Sequence, residues 1–164
     1  MLIRAFLFPI LIILGLPLAD FGSQASEVNL KVQISARENR DGSSRTRYSE
    51  GEEVLIKVSM TNESADDVTL AIGQAWRYIR PRLKRNGEIV AYKEEMQNLL
   101  KEGSPLYSPV VVIWLKPRTT SVTDELNLEE WYDKFEAGHY QLSIERGWNG
   151  RGLISNTIEF DVIY

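Results

Sequence analysis

The residues that could carry out chemistry are few, and His139 supplies the only imidazole in the chain. It stands between Gly138 and Tyr140, and the alternation of a strand places it opposite Tyr140, facing solvent. A serine triad would depend on this one ring, and no G-x-S-x-G motif is present. The absence of cysteine excludes thiol catalysis, iron–sulfur clusters and cysteine zinc sites. We therefore predict no catalytic residue, no metal site and no cofactor.

Carboxylates cluster in three short segments, at residues 50–53, 62–67 and 124–130. Such groups bind calcium in some proteins and work in pairs in glycoside hydrolases. The EF-hand spacing is absent, however, and nothing in the sequence singles out one pair. We expect these side chains to lie in solvated turns, and a carbohydrate-acting enzyme stays as the third-ranked function.

The strongest candidate for a binding contact is the segment "ERGWNGRGL", residues 145–153, where Trp148 stands among glycines. Arg146 and Arg151 flank it, and tryptophan with arginine is the composition of binding hot spots. Loops and hairpin tips are also where binding residues concentrate. The alternative is that Trp148 folds back over the end of the domain. We predict a binding site formed by Arg146, Trp148 and Arg151.

Most of the chain has the pattern of short strands. Residues 28–36 alternate apolar and polar side chains throughout, and residues 54–60 repeat the pattern. The stretch 93–105 has weak helical spacing and predicts a loop with one helical turn. We count about eight strands and no internal repeat, which favours an all-β antiparallel sandwich over a closed barrel. Further strands are predicted at residues 68–72, 121–128, 140–146 and 156–164.

Two segments predict where their strands lie in a sheet. Asn86-Gly87 is a strong hairpin signal, and Pro81 lacks a ladder N–H, so this hairpin is expected at a sheet edge. Residues 109–115 are apolar on both faces, which predicts a central strand. The tryptophans outside the candidate site are expected in the core or at corners: Trp76, Trp114 and Trp131.

The N-terminal residues 1–25 have the layout of a secretory signal peptide. Arg4 precedes an apolar run, and a small-x-small cleavage site ends at Ala25. The run is shorter than the roughly 20 residues of a spanning helix and holds Pro9 and Pro17, which argues against an uncleaved anchor. We predict an exported protein, located in the periplasm or cell envelope or outside the cell.

The remaining residues, 26–164, are expected to form a single domain. The chain is 43% hydrophobic with a net charge of −4, which is ordinary globular composition. A domain of this size buries roughly two-thirds of its unfolded surface, so it does not need disulfides. Mild acidity gives no reason to expect nucleic acid as a partner. Membrane contact is expected only through the signal segment, if it is not cleaved.

The segment "EWYDKFEAGHYQLSIER", residues 130–146, contains the spacing of a tyrosine corner. In immunoglobulin-like domains a tyrosine two residues before the second cysteine position donates its hydroxyl to the corner backbone. Glu136, Gly138 and Tyr140 match this acidic-x-small-x-Tyr pattern, with Leu142 at the cysteine position. The sequence resembles an immunoglobulin-like or fibronectin-like sandwich of about seven to nine strands. The resemblance implies that apolar packing replaces the inter-sheet disulfide.

The mature chain also resembles small exported bacterial sandwich proteins, and more distantly the BsuPI-type proteinase inhibitors. It departs from the antibody pattern in having Glu136 for the usual aspartate and in lacking cysteine. The resemblance implies a fold more than a function. The segments that carry it are "EGEEVLIKVSMTNES", "LKRNGEIV", "YDKFEAGHYQLSIER" and "SNTIEFDV".

Three functions remain open from the sequence. The leading one is an exported, non-catalytic module that binds a protein, peptide or glycan through end loops or an edge strand. The second is a proteinase inhibitor that presents an exposed loop, either residues 37–48, with Arg40, Arg45 and Arg47, or residues 93–108. The third is the carbohydrate-acting enzyme.

Overall fold

The computed structural model describes residues 28–39, 42–102 and 111–164. The predicted signal peptide lies outside the described residues. Within them the chain forms strands, two short helices and one 3-10 turn at Leu128–Glu130. In chain order the elements are β1 (Leu30–Ala36), β2 (Arg47–Ser49), β3 (Leu55–Asn62), β4 (Val68–Ile72), α1 (Ala75–Tyr78), β5 (Ile79–Arg85), β6 (Glu88–Ile89), α2 (Glu94–Glu102), β7 (Val111–Leu115), β8 (Thr120–Asn127), β9 (Gly138–Trp148), β10 (Arg151–Ile154) and β11 (Ile158–Ile163).

The strands form an immunoglobulin-like antiparallel β-sandwich, the class that the sequence predicts. The larger sheet has the order β2-β11-β9-β5-β6, and β10 also pairs with β9. The second sheet has the order β1-β3-β8, and β4 pairs with β7. All these pairs are antiparallel except β2 with β11. The described ranges hold eleven strands rather than about eight, because β2, β6 and β10 add short pairings at hairpins and edges.

The core is built from the inward faces of these strands, and the alternation read from the sequence accounts for it. In β3, Ile56, Val58 and Met60 are fully buried while the residues between them are partly exposed. Leu142 in β9 is also fully buried, at the position where a disulfide cysteine would stand. Burying such a side chain contributes about 1.5–3 kcal/mol to stability. Apolar packing between the sheets therefore provides the stabilisation that a disulfide provides in other sandwiches of this class.

Asn62 connects the smaller sheet to the β4–β7 pair. Its backbone N–H donates to the Thr119 carbonyl at 3.0 Å, and its carbonyl accepts from Arg118 at 2.7 Å. Its buried side chain donates to the Leu115 carbonyl at 2.9 Å and to the Asp66 carbonyl at 2.7 Å. These bonds join the end of β3 and the start of β8 to the start of β4 and the end of β7. The β4–β7 pair, called the ribbon below, therefore continues the smaller sheet past its end.

The prediction of a central strand at residues 109–115 is wrong for residues 111–115, and residues 109–110 lie outside the described part of the chain. Within the described part of the chain, β7 pairs with β4 alone. Three of its five residues are exposed, Val111 at 55%, Val112 at 47% and Trp114 at 69%, while Leu115 is buried. Trp114 is thus not a core residue, whereas Trp131 is buried and Trp76 is half-buried. An apolar strand is buried on both faces only if neighbouring elements pack against both faces. The ribbon extends beyond the two sheets, so one face of β7 has no such neighbour among the described elements.

The hairpin prediction is confirmed. Asn86 and Gly87 both have positive φ, 51° and 89°, and β6 is the last strand of the larger sheet. Beyond β6, the hydroxyls of Tyr92 and Tyr132 donate to the Pro81 carbonyl at 2.7 and 2.8 Å. These side chains cover the part of the outer edge of β5 that no strand of the described residues pairs with.

The predicted helical turn within residues 93–105 is a nine-residue helix, α2. Its first turn carries Glu94 and Glu95, and Lys101 lies in its last turn. These charges complement the helix dipole and favour extension beyond one turn. None of the helices in the described ranges is long and apolar enough to cross a membrane.

Candidate functional site

The site is built at the tip of the β9–β10 hairpin. Asn149 and Gly150 form its two-residue turn with φ of 45° and 74°, the backbone geometry that matches the twist of paired strands. The turn places Trp148 directly across from Arg151 in the ladder. Two of the three predicted binding residues are therefore cross-strand neighbours at the tip.

Trp148 is half-buried and packs against the core. Its indole Nε1–H donates to the Thr69 carbonyl of β4 at 3.3 Å. The ring thus leans across the end of the sandwich toward the ribbon, as the alternative interpretation required, but part of its surface stays open. A half-covered tryptophan with its N–H bonded is held in one orientation.

Arg146 is not a surface contact, which corrects the prediction for this residue. It is 1% exposed, and its Nη1 lies 2.7 Å from Asp124 Oδ2 in β8. Its Nη2 donates to the Ala71 carbonyl in β4 at 3.0 Å, and its guanidinium carbon lies 6.0 Å from the Tyr78 ring centroid. One guanidinium therefore contacts both sheets and the ribbon.

The burial of Arg146 follows from strand parity. Residues Tyr140, Leu142 and Ile144 share its face of β9, and all of them are buried. This parity was readable in the sequence, although the partner Asp124 was not, because the two residues come from different sheets. Burial raises the pKa of the Asp124 carboxyl above its ordinary value, while the charge of Arg146 and a hydrogen bond from Thr123 oppose that rise.

An open groove of about 810 Å³ lies between the hairpin tip and the ribbon. Trp148 and Arg151 border it on one side, and Asp67 and Thr69 of the ribbon side border it on the other. This volume is within the range of about 300–1,000 Å³ that is usual for ligand-binding clefts. The structure thus brings Trp148 and Arg151 to the rim of a concave surface, with Arg146 beneath it.

Some charged side chains around the groove already form ion pairs within the described part of the protein, and one does not. Asp67 is paired with Lys116, with the Nζ–Oδ2 distance at 2.6 Å, and Glu145 is paired with Arg82. Arg151 is exposed, and no residue of the described ranges forms an ion pair with it. The uncompensated charge at the groove is therefore positive.

The tyrosine corner lies at the opposite end of β9 from the groove. The Tyr140 hydroxyl donates to the Glu136 carbonyl at 2.8 Å, and the Tyr140 ring stacks on Phe160 with centroids 5.2 Å apart. A Cβ at Gly138 would come within 2.9 Å of the Arg85 Nε, so a larger residue there would have to displace the Arg85 side chain. Arg85 itself pairs with the Glu136 carboxylate. These residues, with Leu142, hold the fold and do not form part of the groove.

His139 faces solvent, as expected from its parity, with a side chain 47% exposed. Its Nδ1 lies 2.9 Å from Asp161 Oδ1, and its Nε2 lies 3.8 Å from Glu159. In residues 28–39, 42–102 and 111–164, no group of three or more histidine and carboxylate side chains is placed to hold a metal ion.

The loops proposed for proteinase inhibition are only partly described. Arg45 pairs with Glu52, and its guanidinium carbon lies 4.6 Å from the Tyr48 ring centroid. Arg47 is exposed at the start of β2. Arg40 and residues 103–108 lie outside the described residues. Of the arginines that the sequence offers in this loop, Arg45 is thus held by contacts with Glu52 and Tyr48.

No protein-family model matches the chain, and no curated protein matches it. The BsuPI resemblance therefore has no support from a family match. Among solved structures, the chain is similar to the CARDB domain of a Pyrococcus furiosus protein in complex with di-metal ions, at 13% identity and a TM-score of 0.40, over 82% of this chain and 93% of that one.

The chain is also similar to part of a β-glucosidase from Listeria innocua in complex with glucose, at 16% identity and a TM-score of 0.40. That match covers 84% of this chain but only 16% of the enzyme. At such TM-scores neither similarity carries functional information. The fold is established by the strand pairing described above, and the function has to be argued from the groove.

Proposed function

We propose that this protein is an exported, non-catalytic β-sandwich module that binds an extended peptide segment of a partner protein. The binding surface is the groove beside Trp148 and Arg151. The observation that carries the proposal is the pairing of a half-open tryptophan ring with an uncompensated arginine across one rung of the ladder. Tryptophan and arginine are the residues most enriched among binding hot spots.

The groove is held in shape before a ligand arrives. Trp148 is tied to Thr69, and Arg146 below it is tied to Ala71 and Asp124. These contacts join the hairpin tip to the ribbon and to the smaller sheet. A preformed surface loses less conformational entropy on binding, so a small contact area can still give a useful affinity.

The chemistry of the groove indicates what it binds. Asp67 and Glu145 already form ion pairs with Lys116 and Arg82, so Arg151 is the charged side chain that a ligand carboxylate can bind. The carbonyls of Thr69 and Ala71 already accept hydrogen bonds from Trp148 and Arg146, so a ligand cannot add a strand at β4. Recognition through side chains follows, with a carboxylate placed on Arg151 and an apolar group on Trp148. A neutral glycan lacks the carboxylate, and an acidic peptide has it.

A random-peptide display library tests this proposal directly. We expect the recovered peptides to share an aspartate or glutamate next to an aromatic or aliphatic residue. Arg151→Glu should weaken binding of such a peptide at least about tenfold, because hot-spot truncations cost more than about 2 kcal/mol. Arg47→Glu is the matched control, since it makes the same charge change on the exposed edge strand β2. Peptides whose affinity is equal in the two variants, or binding of a neutral glycan alone, would refute the proposal.

A further inference from the structure

The outer edge of β7 has backbone groups that no described strand pairs with. The carbonyls of Thr69 and Ala71 in β4 bond to side chains of β9, so they point away from β7. In an antiparallel ladder the N–H and C=O of one residue point to the same side. Trp114 and Val112 are the partners of these two residues in register, so their own N–H and C=O groups point outward from the ribbon.

A second contact gives the same alternation independently. The Leu115 carbonyl accepts from the Asn62 side chain on the inner side of the ribbon. Leu115 and Trp114 are adjacent, so their backbone groups point to opposite sides of the strand. The free edge of β7 therefore offers two donors and two acceptors, from Val112 and Trp114, spaced two residues apart as a pairing strand requires.

This edge lacks the features that protect other edges of the protein. Charged side chains, proline, bulges and very short length are the usual means of blocking strand addition. β6 has only two residues and carries Glu88, and β2 has three residues and begins with Arg47. β7 has five residues, Val111–Leu115, without charge or proline. Its neighbour across the ladder, β4, is also uncharged.

We propose that the β7 edge binds a second copy of this chain, by antiparallel β7–β7 pairing about a two-fold axis at Ile113. That axis sets Val112 opposite Trp114 of the second copy, so both outward-pointing residues form ladder bonds with each other. An aromatic residue opposite a β-branched one is a favourable cross-strand pair. The strand is thus complementary to itself in hydrogen bonds and in side chains, and no like charges meet. The dimer uses the outer backbone edge of β7, although Val112 also lines the groove, so dimerisation and ligand binding have to be measured separately.

The charge pattern favours a second copy over an unrelated peptide. An uncharged partner strand fits the ribbon best, because the faces it would extend are formed by Thr69, Ala71, Leu70 and the uncharged side chains of β7. The nearest charges, Lys116 and Asp67, neutralise each other at the end of the ribbon. β7 itself is such a strand, whereas the acidic peptide proposed for the groove is not. Five paired residues make a small interface, so we expect a dissociation constant in the micromolar range.

Disulfide trapping tests the register, since the chain has no native cysteine. Residue 113 would face itself in a pair without mutual hydrogen bonds, where Cα atoms lie about 4.5 Å apart, within the range that a disulfide spans. Ile113→Cys should therefore form a covalent dimer readily under mild oxidation. Val122→Cys is the control, because Val122 is 58% exposed on β8 and lies off the proposed axis. Equal crosslinking of the two variants would mean random collision and would overturn the proposal.

A charge exchange tests the same pairing without cysteine, and it covers the case in which Ile113→Cys does not fold. Val112→Glu/Trp114→Glu puts like charges opposite each other across the two-fold axis, whereas Val112→Glu/Trp114→Lys puts opposite charges there. Both variants lose the same apolar contacts. We expect the first to dissociate at least about tenfold more readily in sedimentation velocity. Equal dissociation of the two, or a wild-type protein that stays monomeric up to about 1 mM, would overturn the proposal.

Discussion

Arg146 in β9 and Asp124 in β8 form a buried ion pair that joins the two sheets, with 2.7 Å between Nη1 and Oδ2. Both side chains are almost fully covered, at 2% and 5% exposure. The same guanidinium bonds to Ala71 in the ribbon. This pair lies beneath the groove, so it connects the core of the sandwich to the surface that we propose binds a ligand.

Breaking this pair should destabilise the protein strongly. Removing one partner of a buried ion pair leaves the other charge uncompensated, and this typically costs about 3–5 kcal/mol. We expect Arg146→Met to lower the free energy of unfolding by that amount in urea denaturation. The double variant Arg146→Met/Asp124→Leu should recover much of the loss, because no charge is then left buried. A loss below about 1 kcal/mol in the single variant would show that the pair is not the connection described.

The tyrosine corner gives a second stability prediction. Tyr140→Phe keeps the ring that stacks on Phe160 and removes only the hydroxyl that donates to Glu136. The expected loss is about 1 kcal/mol in the free energy of unfolding, the usual value for one hydrogen bond. Tyr164→Phe is the control, because Tyr164 is 99% exposed and should change nothing. Equal stabilities of the two variants would mean that the hydroxyl does not hold the corner.

Buried tyrosines should make the fold sensitive to alkali. Burial raises the pKa of Tyr132 far above its ordinary value, and burial also raises the pKa of Tyr140. Above about pH 10 the unfolded chain loses these protons first, so it binds fewer protons than the folded chain and stability falls as pH rises. Tyr132→Phe should flatten this fall between pH 9 and pH 11, measured as unfolding midpoints in urea. An unchanged slope would contradict the assignment to Tyr132.

Fluorescence quenching can rank the tryptophans by exposure. Trp114 is 69% exposed, Trp148 is half-buried and Trp131 is 1% exposed. We expect Trp114→Phe to remove the most acrylamide-accessible emission, Trp148→Phe an intermediate amount and Trp131→Phe almost none. If Trp148→Phe removes no accessible emission, the ring has no open surface and the groove loses its apolar contact.

Local patterns in the sequence predict much of this fold. The alternation in residues 28–36 and 54–60 predicts β1 and β3 with their buried faces, because side-chain period is a property of the strand itself. The spacing of Glu136 and Tyr140 predicts the corner bond, which spans only four residues. Asn86-Gly87 predicts its hairpin for the same reason.

Relations between distant segments could not be predicted in this way. The partner of Arg146 is 22 residues away in another sheet, and only the packing of the sheets brings Asp124 to it. The exposure of β7 depends on which strands lie beside it. The apolar sequence of β7 does not indicate which strands those are. Trp148 could be placed at a hairpin tip from its glycine neighbours, but the groove beside it needs β4, about 80 residues earlier.

The most direct test of the proposed binding site uses the four tryptophan indole N–H signals in a proton–nitrogen NMR spectrum. An acidic peptide recovered from the display library is added to the labelled protein. We predict that the indole signal of Trp148 shifts, and that those of Trp114 and Trp131 do not. A peptide that binds while the Trp148 signal stays fixed, or that shifts the Trp131 signal instead, would contradict the account.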